Sequence, residues 1–204
     1  MAGTTAPRRR RLSRTDRREL MLDAAQRVFG ERGYRAASMD DIARGSGVTK
    51  ALLYEHFASK EDLYETCVER ARGRLFEAIA EALAGVEEPV QQLRVFVTTY
   101  FDELERHRHQ WWALYGEASP AAVNEMRNRN AEAIAPLLAA AAERTGAVPD
   151  PVDVAFVSQV LVGAGEQAGR WWMNRPDVPK QEVTDRFVRA CAGVIASLTA
   201  GAGR

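Results

Sequence analysis

The 204-residue sequence has few of the features that mark secreted, membrane-spanning or metal-binding proteins. Its only two cysteines, Cys67 and Cys191, form no CxxC or other metal-ligand pattern, so we expect reduced, buried thiols. No apolar segment follows the Arg-rich start, as one would in a signal peptide. No uninterrupted run of about 18 apolar residues is available to cross a membrane. We therefore expect a cytoplasmic protein that does not span a membrane.

Proline is scarce, and β-branched residues do not alternate with polar ones, so the sequence does not indicate strands. Alanine is abundant, and apolar residues recur at helical spacing. The content of 46% hydrophobic and 27% charged residues is typical of a folded globular chain rather than a disordered one. Together these features predict an all-α fold.

The chain carries no net charge, but its charges are unevenly distributed. Residues 1–70 hold 14 of the 28 Lys and Arg residues and 11 of the 28 Asp and Glu residues. Much of this excess comes from a basic stretch that begins with Arg8, Arg9, Arg10 and Arg11, within a segment, 1–12, that we expect to be a flexible arm. Such an arm can contact nucleic acid or serve only as a solubilising tail, and composition leaves both alternatives open.

Capping residues predict where several helices begin. Ser38, Thr49 and Ser59 each precede an apolar-periodic segment, and two of them have an aspartate three residues later, as in a capping box. Proline and glycine signals indicate further starts and stops. The predicted helices span about 15–32, 39–45, 49–57, 59–85, 89–107, 120–144, 151–174 and 181–199, with a kink at 136.

The stretch "MDDIARGSGVTKALLYEHFASKEDLY" contains two short helices separated by a tight turn. Gly47 can supply the positive φ that such a turn requires. The helix after the turn has many polar side chains for its length, and a helix that only filled a core would not need them. In a helix-turn-helix, residues at the start of the second helix contact base edges in the major groove.

Several side chains of the second helix suit contacts with DNA. Lys50 can donate to guanine, whereas Ala51 and Leu52 can pack on thymine methyl groups. Tyr54 and His56 can hydrogen-bond to phosphates. Lys60, at the start of the next helix, can pair with a further phosphate. The alternative is a helical hairpin in which the tyrosine and the histidine only complete the core.

Residues 39–63 resemble the helix-turn-helix of the TetR family of transcriptional regulators, and the resemblance is specific over about residues 15–70. The matching positions are Ile42, Ala43, Ser46, Gly47, Val48, Thr49, Leu53, Tyr54, His56, Phe57, Ser59, Lys60, Glu61 and Leu63. Departures are Ser46 for the usual alanine, Ala58 for the frequent proline, and the bulky Leu52. By resemblance, the residues implied to contact DNA are Ser38, Thr49, Lys50, Leu52, Tyr54, His56 and Lys60.

The resemblance implies an N-terminal three-helix DNA-binding domain at 13–60 and an α-helical ligand-binding and dimerisation domain at 61–204. It implies a homodimer that binds a palindromic double-stranded DNA operator, most simply as a repressor. The two recognition helices must then lie about 34–36 Å apart. The arginines of the arm would reach the adjacent minor groove or phosphates.

The second half of the chain contains more aromatic residues than a dimerisation scaffold requires. Large apolar pockets are the usual form of small-molecule sites, so we expect an apolar or aromatic effector. Residues 112–172 are loosely similar to lipid-metabolism regulators of the family, which implies a fatty acyl thioester. The predicted lining residues, each of which could also be ordinary core, are Phe96, Tyr100, Trp111, Tyr115, Met126, Phe156, Gln159, Gly163 and Gln167.

Other interpretations remain open at this stage. His107 and His109 suggest a metal or acid–base site, but residues two apart on a helix face different directions, and no cofactor, metal or catalytic constellation is expected. A DNA-packaging protein and a membrane-binding scaffold are further alternatives. Glu166 is expected to pair with Arg170 one turn away. Whether an effector releases or promotes DNA binding is not determined by the sequence.

Overall fold

The computed structural model describes residues 13–108, 111, 120–144 and 146–200. Within these ranges the chain is all-α and contains no strand, which confirms the predicted fold class. Its helices are α1 (Arg14–Ala36), α2 (Met39–Ser46), α3 (Lys50–His56), α4 (Lys60–Leu83), α5 (Pro89–Arg106), α6 (Pro120–Glu143), α7 (Pro151–Met173) and α8 (Lys180–Ala200).

Side-chain caps begin the short helices where the sequence predicts them. The hydroxyls of Ser38, Thr49 and Ser59 each accept a hydrogen bond, 3.1 to 3.2 Å long, from the backbone N–H three residues later. These bonds satisfy N–H groups that have no partner within the helix. The first helix is longer than predicted: it continues to Ala36 across Gly33, whose φ of +75° interrupts the helical backbone.

One hydrophobic core holds α1, α2, α3 and the first two turns of α4 together. Phe29, in α1, meets the edge of the Tyr64 ring at a centroid distance of 5.3 Å. Gly47 adopts a φ of +70° at the turn between α2 and α3, as the sequence predicts. The largest fully buried residues of this core are Met21, Leu22, Phe29, Ile42, Leu53, Phe57, Leu63 and Tyr64. We call residues 13–68 the N-terminal unit.

The rest of α4 packs with α5, α6, α7 and α8 into a second bundle, here called the C-terminal bundle. Phe101, in α5, contacts the edges of Trp172 and Phe187 at centroid distances of 5.6 and 5.8 Å. A smaller apolar cluster joins α6 to α7 through residues that include Ile134, Leu138 and Val157. Because α4 contributes to both units, it is a continuous connection between them.

Two further expectations concern the cysteines and membrane-spanning segments. Both cysteines are free and buried, and burial raises the pKa of each thiol to about 12. Among the described residues, no helix is long and apolar enough to cross a membrane.

Candidate DNA-binding surface and effector cavity

Helix α3 has one face in the core and one in solvent. Leu53 and Phe57 are buried against α1 and α4, while Tyr54 is 46% exposed. Leu52 is half-buried at the edge of the core, and His56 is also half-buried. Thr49, Lys50 and Ala51 are exposed. The predicted base-contacting side chains therefore lie together on the outer surface of the N-terminal unit.

The Lys50 side chain is held by an ion pair with the preceding helix. Its Nζ lies 2.9 Å from Oδ2 of Asp40, and both side chains are more than half exposed. The hydrogen bond and charge of Asp40 raise the pKa of Lys50. An exposed pair of this kind is weak, so a phosphate or a guanine can take the place of Asp40 at little cost.

Lys60 contacts the protein itself in this structure, and its predicted phosphate contact stays a prediction. Its Nζ donates to the backbone oxygens of Tyr34 and Ala37 at 2.7 and 3.0 Å and lies 4.4 Å from the centre of the Tyr34 ring. These carbonyls belong to the C-terminal end of α1, where helices leave acceptors unsatisfied. Lys60 therefore fixes the end of α1 to the start of α4.

Ser38 is used mainly as a helix cap. Its hydroxyl accepts from the Asp41 N–H and donates to Oδ2 of the same residue at 2.6 Å. Asp41 also pairs with Arg32 and Arg44. The hydrogen bond from Ser38, followed by the charges of these two arginines, lowers the pKa of the Asp41 carboxyl group. The predicted DNA contact of Ser38 stays a prediction. The predicted contacts of Arg8, Arg9, Arg10 and Arg11 lie outside the described residues.

A cavity of about 530 Å³ lies inside the C-terminal bundle, within the range usual for small-molecule sites. Three of the predicted lining residues, Phe96, Tyr100 and Trp111, are in its wall. Helices α4, α5, α6, α7 and α8 all contribute to the wall. Its other members include Leu75, Phe76, Ile79, Leu83, Leu93, Val97, Ile134, Leu138, Leu161, Phe187, Cys191 and Ile195. The lining is almost entirely apolar.

Five predicted lining residues lie elsewhere. Met126, in α6, is buried in the core of the N-terminal unit. Phe156 is 68% exposed, and Gln159 and Gln167 are also exposed. Gly163 has open space where a Cβ would project. The other four lie on α7, which is apolar nearly all round, so its periodicity does not distinguish the face toward the cavity from the outer one. Tyr115 lies outside the described residues.

The outer face of α7 is an exposed apolar stripe. Val152, Phe156, Val160 and Trp171 are 75%, 68%, 38% and 44% exposed. Val152, Phe156 and Val160 are four residues apart, and Trp171 follows about three turns later, so all four share one side of the helix with Gly163 and Gln167. We call these four apolar residues the α7 stripe. Contiguous exposed apolar surface of this kind commonly marks an interaction site.

Tyr100 and Glu166 are polar members of the cavity wall, on α5 and α7. The Tyr100 hydroxyl donates to the backbone oxygen of Gly165 at 3.0 Å, and burial, with the nearby Glu166 charge, raises its pKa, so it stays neutral. Glu166 pairs with Arg127 of α6, whose Nε and Nη2 both lie 2.7 Å from Oε2. The structure therefore shows a partner for Glu166 on another helix, which the sequence did not predict.

Helices α4 and α8 contribute to the cavity, which the sequence did not indicate. Residues such as Leu75, Ile79 and Cys191 lie on regular apolar stripes, and these stripes were the available signal. A stripe shows that a face is buried but not whether a neighbouring side chain or an empty space covers it.

The histidine segment forms no metal site among the described residues, where no cluster of three or more His, Cys, Asp or Glu residues is found. The Nε2 atom of His107 lies 3.5 Å from the buried Glu103. Burial and the Arg74 charge lower the pKa of His107 below its usual value. His109 lies outside the described residues.

Comparisons with known proteins relate both units to one family. The HTH-type transcriptional activator FasR of Mycolicibacterium smegmatis is 42% identical over 107 residues, a match that covers 52% of this chain and 48% of FasR. The chain thus spans about half the length of the curated relatives it matches.

Solved structures match over nearly the whole chain. A TetR-like transcriptional regulator from Rhodococcus sp. RHA1 is 30% identical, with a TM-score of 0.71, over 91% of this chain and 99% of that one. FadR from Bacillus subtilis, solved in complex with stearoyl-CoA, has the same fold at 19% identity, with a TM-score of 0.70 over 90% and 98% of the two chains.

Family profiles cover both units. Residues 21–67 match "Bacterial regulatory proteins, tetR family", and residues 89–194 match "Tetracyclin repressor-like, C-terminal domain". The second match alone includes about half of the chain. The protein therefore belongs to the tetR family of transcriptional regulators.

Proposed function

We propose that this regulator acts as a homodimer that binds a palindromic operator and represses transcription until a small apolar effector enters the C-terminal bundle. The observation that carries the proposal is the presence, in one chain, of an exposed α3 surface and a large apolar cavity, both in contact with α4. The similar FasR is named an activator. Repression is the simpler mechanism, because it requires only occupancy of the operator.

The proposed DNA contacts are the residues that α3 presents outward. Thr49 and Lys50 stand at its first turn, Leu52 at the edge of the core, and Tyr54 and His56 further along. Lys50 would exchange Asp40 for a guanine or a phosphate, and Ala51 would contact a thymine methyl group. Lys60 is not among these contacts, because backbone oxygens of the N-terminal unit already hold its ammonium group.

The α7 stripe supports dimerisation. A monomer would leave Phe156 in water at 68% exposure, together with three apolar neighbours on the same side of the helix. A second copy of the chain can cover this side, and a twofold interface places the same patch on both subunits. Gly163, which has open space above it, would let the partner helix approach closely.

The proposed effector is an apolar chain, with fatty acyl thioesters as the leading class. The cavity wall supports this class because it presents mainly aliphatic and aromatic side chains from five helices. The FadR structure of the same fold holds stearoyl-CoA. A sugar or a metal ion would find few hydrogen-bond partners or ligands in such a wall.

Effector binding would act on DNA binding through helices that touch both units. The α4 residues Leu63 and Tyr64 lie in the N-terminal core, while Leu75 and Ile79, further along the same helix, line the cavity. A shift of α4 would therefore change the distance between the two recognition helices of a dimer. A coupling free energy of about 1–3 kcal/mol would change operator affinity roughly 5- to 150-fold.

Fluorescence anisotropy against the DNA that flanks the gene tests the proposal. We expect specific binding that weakens steeply with salt, because neutralised phosphates release counterions. Lys50→Ala should weaken binding by about 1–3 kcal/mol, and Tyr54→Phe should also weaken it. The matched control is Lys180→Ala, which removes a lysine ion-paired with Asp102 and Glu105 on the C-terminal bundle. If neither α3 variant differs from this control, the assigned surface is wrong.

A second titration tests the sensor. Addition of dodecanoyl-CoA to the protein–DNA complex should reduce anisotropy if the protein is a repressor that its effector releases. An increase would indicate effector-assisted binding. No change with acyl thioesters of any chain length would remove the proposed effector class.

A further inference from the structure

The wall of the effector cavity contains a buried carboxylate, and only one of its two oxygens has a hydrogen-bond partner. Glu166 lines the cavity near the centre of α7 and is 9% exposed. Its Oε2 accepts a hydrogen bond from Arg127 Nε and lies 2.7 Å from Arg127 Nη2. Its Oε1 is buried, and no described residue donates a hydrogen bond to it.

An unused acceptor of this kind has a chemical consequence. A buried carboxylate oxygen without a donor has lost its hydration and gained nothing in exchange. The opposed Arg127 compensates the charge but leaves the second oxygen without a hydrogen bond. Tyr100, a tyrosine of the same wall, does not serve it, because its hydroxyl already donates to Gly165. A ligand that brings an O–H or N–H group to this point would supply the missing hydrogen bond.

We propose that Glu166 is the polar anchor of the effector site and selects apolar ligands that carry a hydrogen-bond donor. The inference rests on the proposed sensor function and narrows its ligand class. A hydroxyl and an amide N–H share the required chemistry. A thioester carbonyl only accepts hydrogen bonds, so in an acyl thioester the donor would be an amide N–H of the thiol-bearing part. Arg127 positions the carboxylate, so its role is exerted through Glu166.

Three probes with the same alkyl chain separate these chemistries in the intact protein. Dodecanol carries a hydroxyl donor, dodecanamide carries an N–H donor, and dodecyl methyl ether carries no donor. Calorimetric titration should show that at least one donor probe binds about tenfold or more tightly than the ether, as expected for a hydrogen bond to a charged group. The probe that shows the preference identifies the donor. The ether is the more apolar ligand, so burial alone would favour it over the alcohol.

Glu166→Gln tests whether this residue causes the preference. The amide keeps an oxygen for Arg127 but is a weaker, uncharged acceptor, so the preference for a donor probe should fall toward parity. The matched control is Glu103→Gln, which removes another buried, ion-paired carboxylate that does not line this cavity. This control should retain the preference. Melting temperatures of both variants identify any general loss of structure.

The outcomes separate this inference from the proposed function. Equal binding of alcohol, amide and ether to the natural protein, or an undiminished preference in Glu166→Gln, would overturn the role of Glu166 and leave an apolar sensor in place. If no probe binds, and dodecanoyl-CoA also does not bind, both the anchor and the apolar effector are wrong.

Discussion

The N-terminal unit and the C-terminal bundle differ in how their interiors are filled. In the first, side chains such as Phe29, Leu53 and Tyr64 are fully buried in one hydrophobic core. In the second, five helices enclose a cavity of about 530 Å³. Close packing gives the DNA-binding surface a fixed shape, whereas the cavity leaves stabilising contacts for an effector to supply. The N-terminal unit is therefore suited to recognising DNA, and the C-terminal bundle to responding to the presence or absence of an effector.

The largest expected effect is on the close-packed unit. Leu53→Ala should reduce the free energy of unfolding by about 2–5 kcal/mol, because it leaves a void where no neighbour can collapse freely. Urea denaturation measures the change. Leu20→Ala, at a leucine of α1 that is 42% exposed, is the matched control and should cost far less. Equal costs at the two sites would mean that the core is not as closely packed as described.

The next effect concerns the outer surface of the C-terminal bundle. Phe156→Ser should weaken dimerisation by at least about 2 kcal/mol, or roughly 30-fold, if the aromatic ring anchors the interface. Sedimentation equilibrium measures the dissociation constant. Val148→Ser, at an exposed valine before α7 and off the α7 stripe, should leave it unchanged. An unaltered dimer in Phe156→Ser would place the interface elsewhere.

A smaller effect distinguishes a stabilising role of Lys60 in the folded protein from a contact between Lys60 and DNA. Lys60→Ala should reduce the free energy of unfolding by about 1–2 kcal/mol, since backbone oxygens of α1 lose a charged donor. The dependence of DNA binding on salt should keep its slope, because a residue that does not touch phosphate releases no counterion. If the slope of log affinity against log salt concentration is shallower by about one in the variant, Lys60 contacts a phosphate after all.

The smallest effect is a dependence of stability on pH. Burial lowers the pKa of His107 in the folded protein below its usual value of 6.5, so the unfolded chain binds the proton first as pH falls. Stability should therefore be complete above pH 6.5 and decline toward the lower folded pKa. In His107→Gln this part of the decline should disappear from melting temperatures measured across that range. An identical pH profile in the variant would show that His107 does not contribute.

Sequence reasoning worked best where contacts are local. The caps at Ser38, Thr49 and Ser59 and the positive φ of Gly47 involve residues within one turn, so their signals are complete in the sequence. The role of Lys60 was missed because its acceptors lie about 25 residues earlier in α1.

The cavity was predicted only in part for the same reason. Phe96 and Tyr100 lie on α5, an amphipathic helix whose inner face is unambiguous. Phe156 and Gly163 lie on α7, where either face could have been buried, and the packing of five helices decides between them. The pairing of Glu166 with Arg127 depends on that packing as well.

Met126 has a consequence for exchanging sensory parts between members of the family. A chimera joined at residue 60 would keep α1 to α3 from one parent and take α6 from another. Met126 belongs to α6, but its side chain is buried in the core of the N-terminal unit. The next residue, Arg127, holds the carboxylate of Glu166 at the cavity. Such a hybrid needs an apolar side chain of similar volume at position 126, or it acquires a hole in its DNA-binding unit.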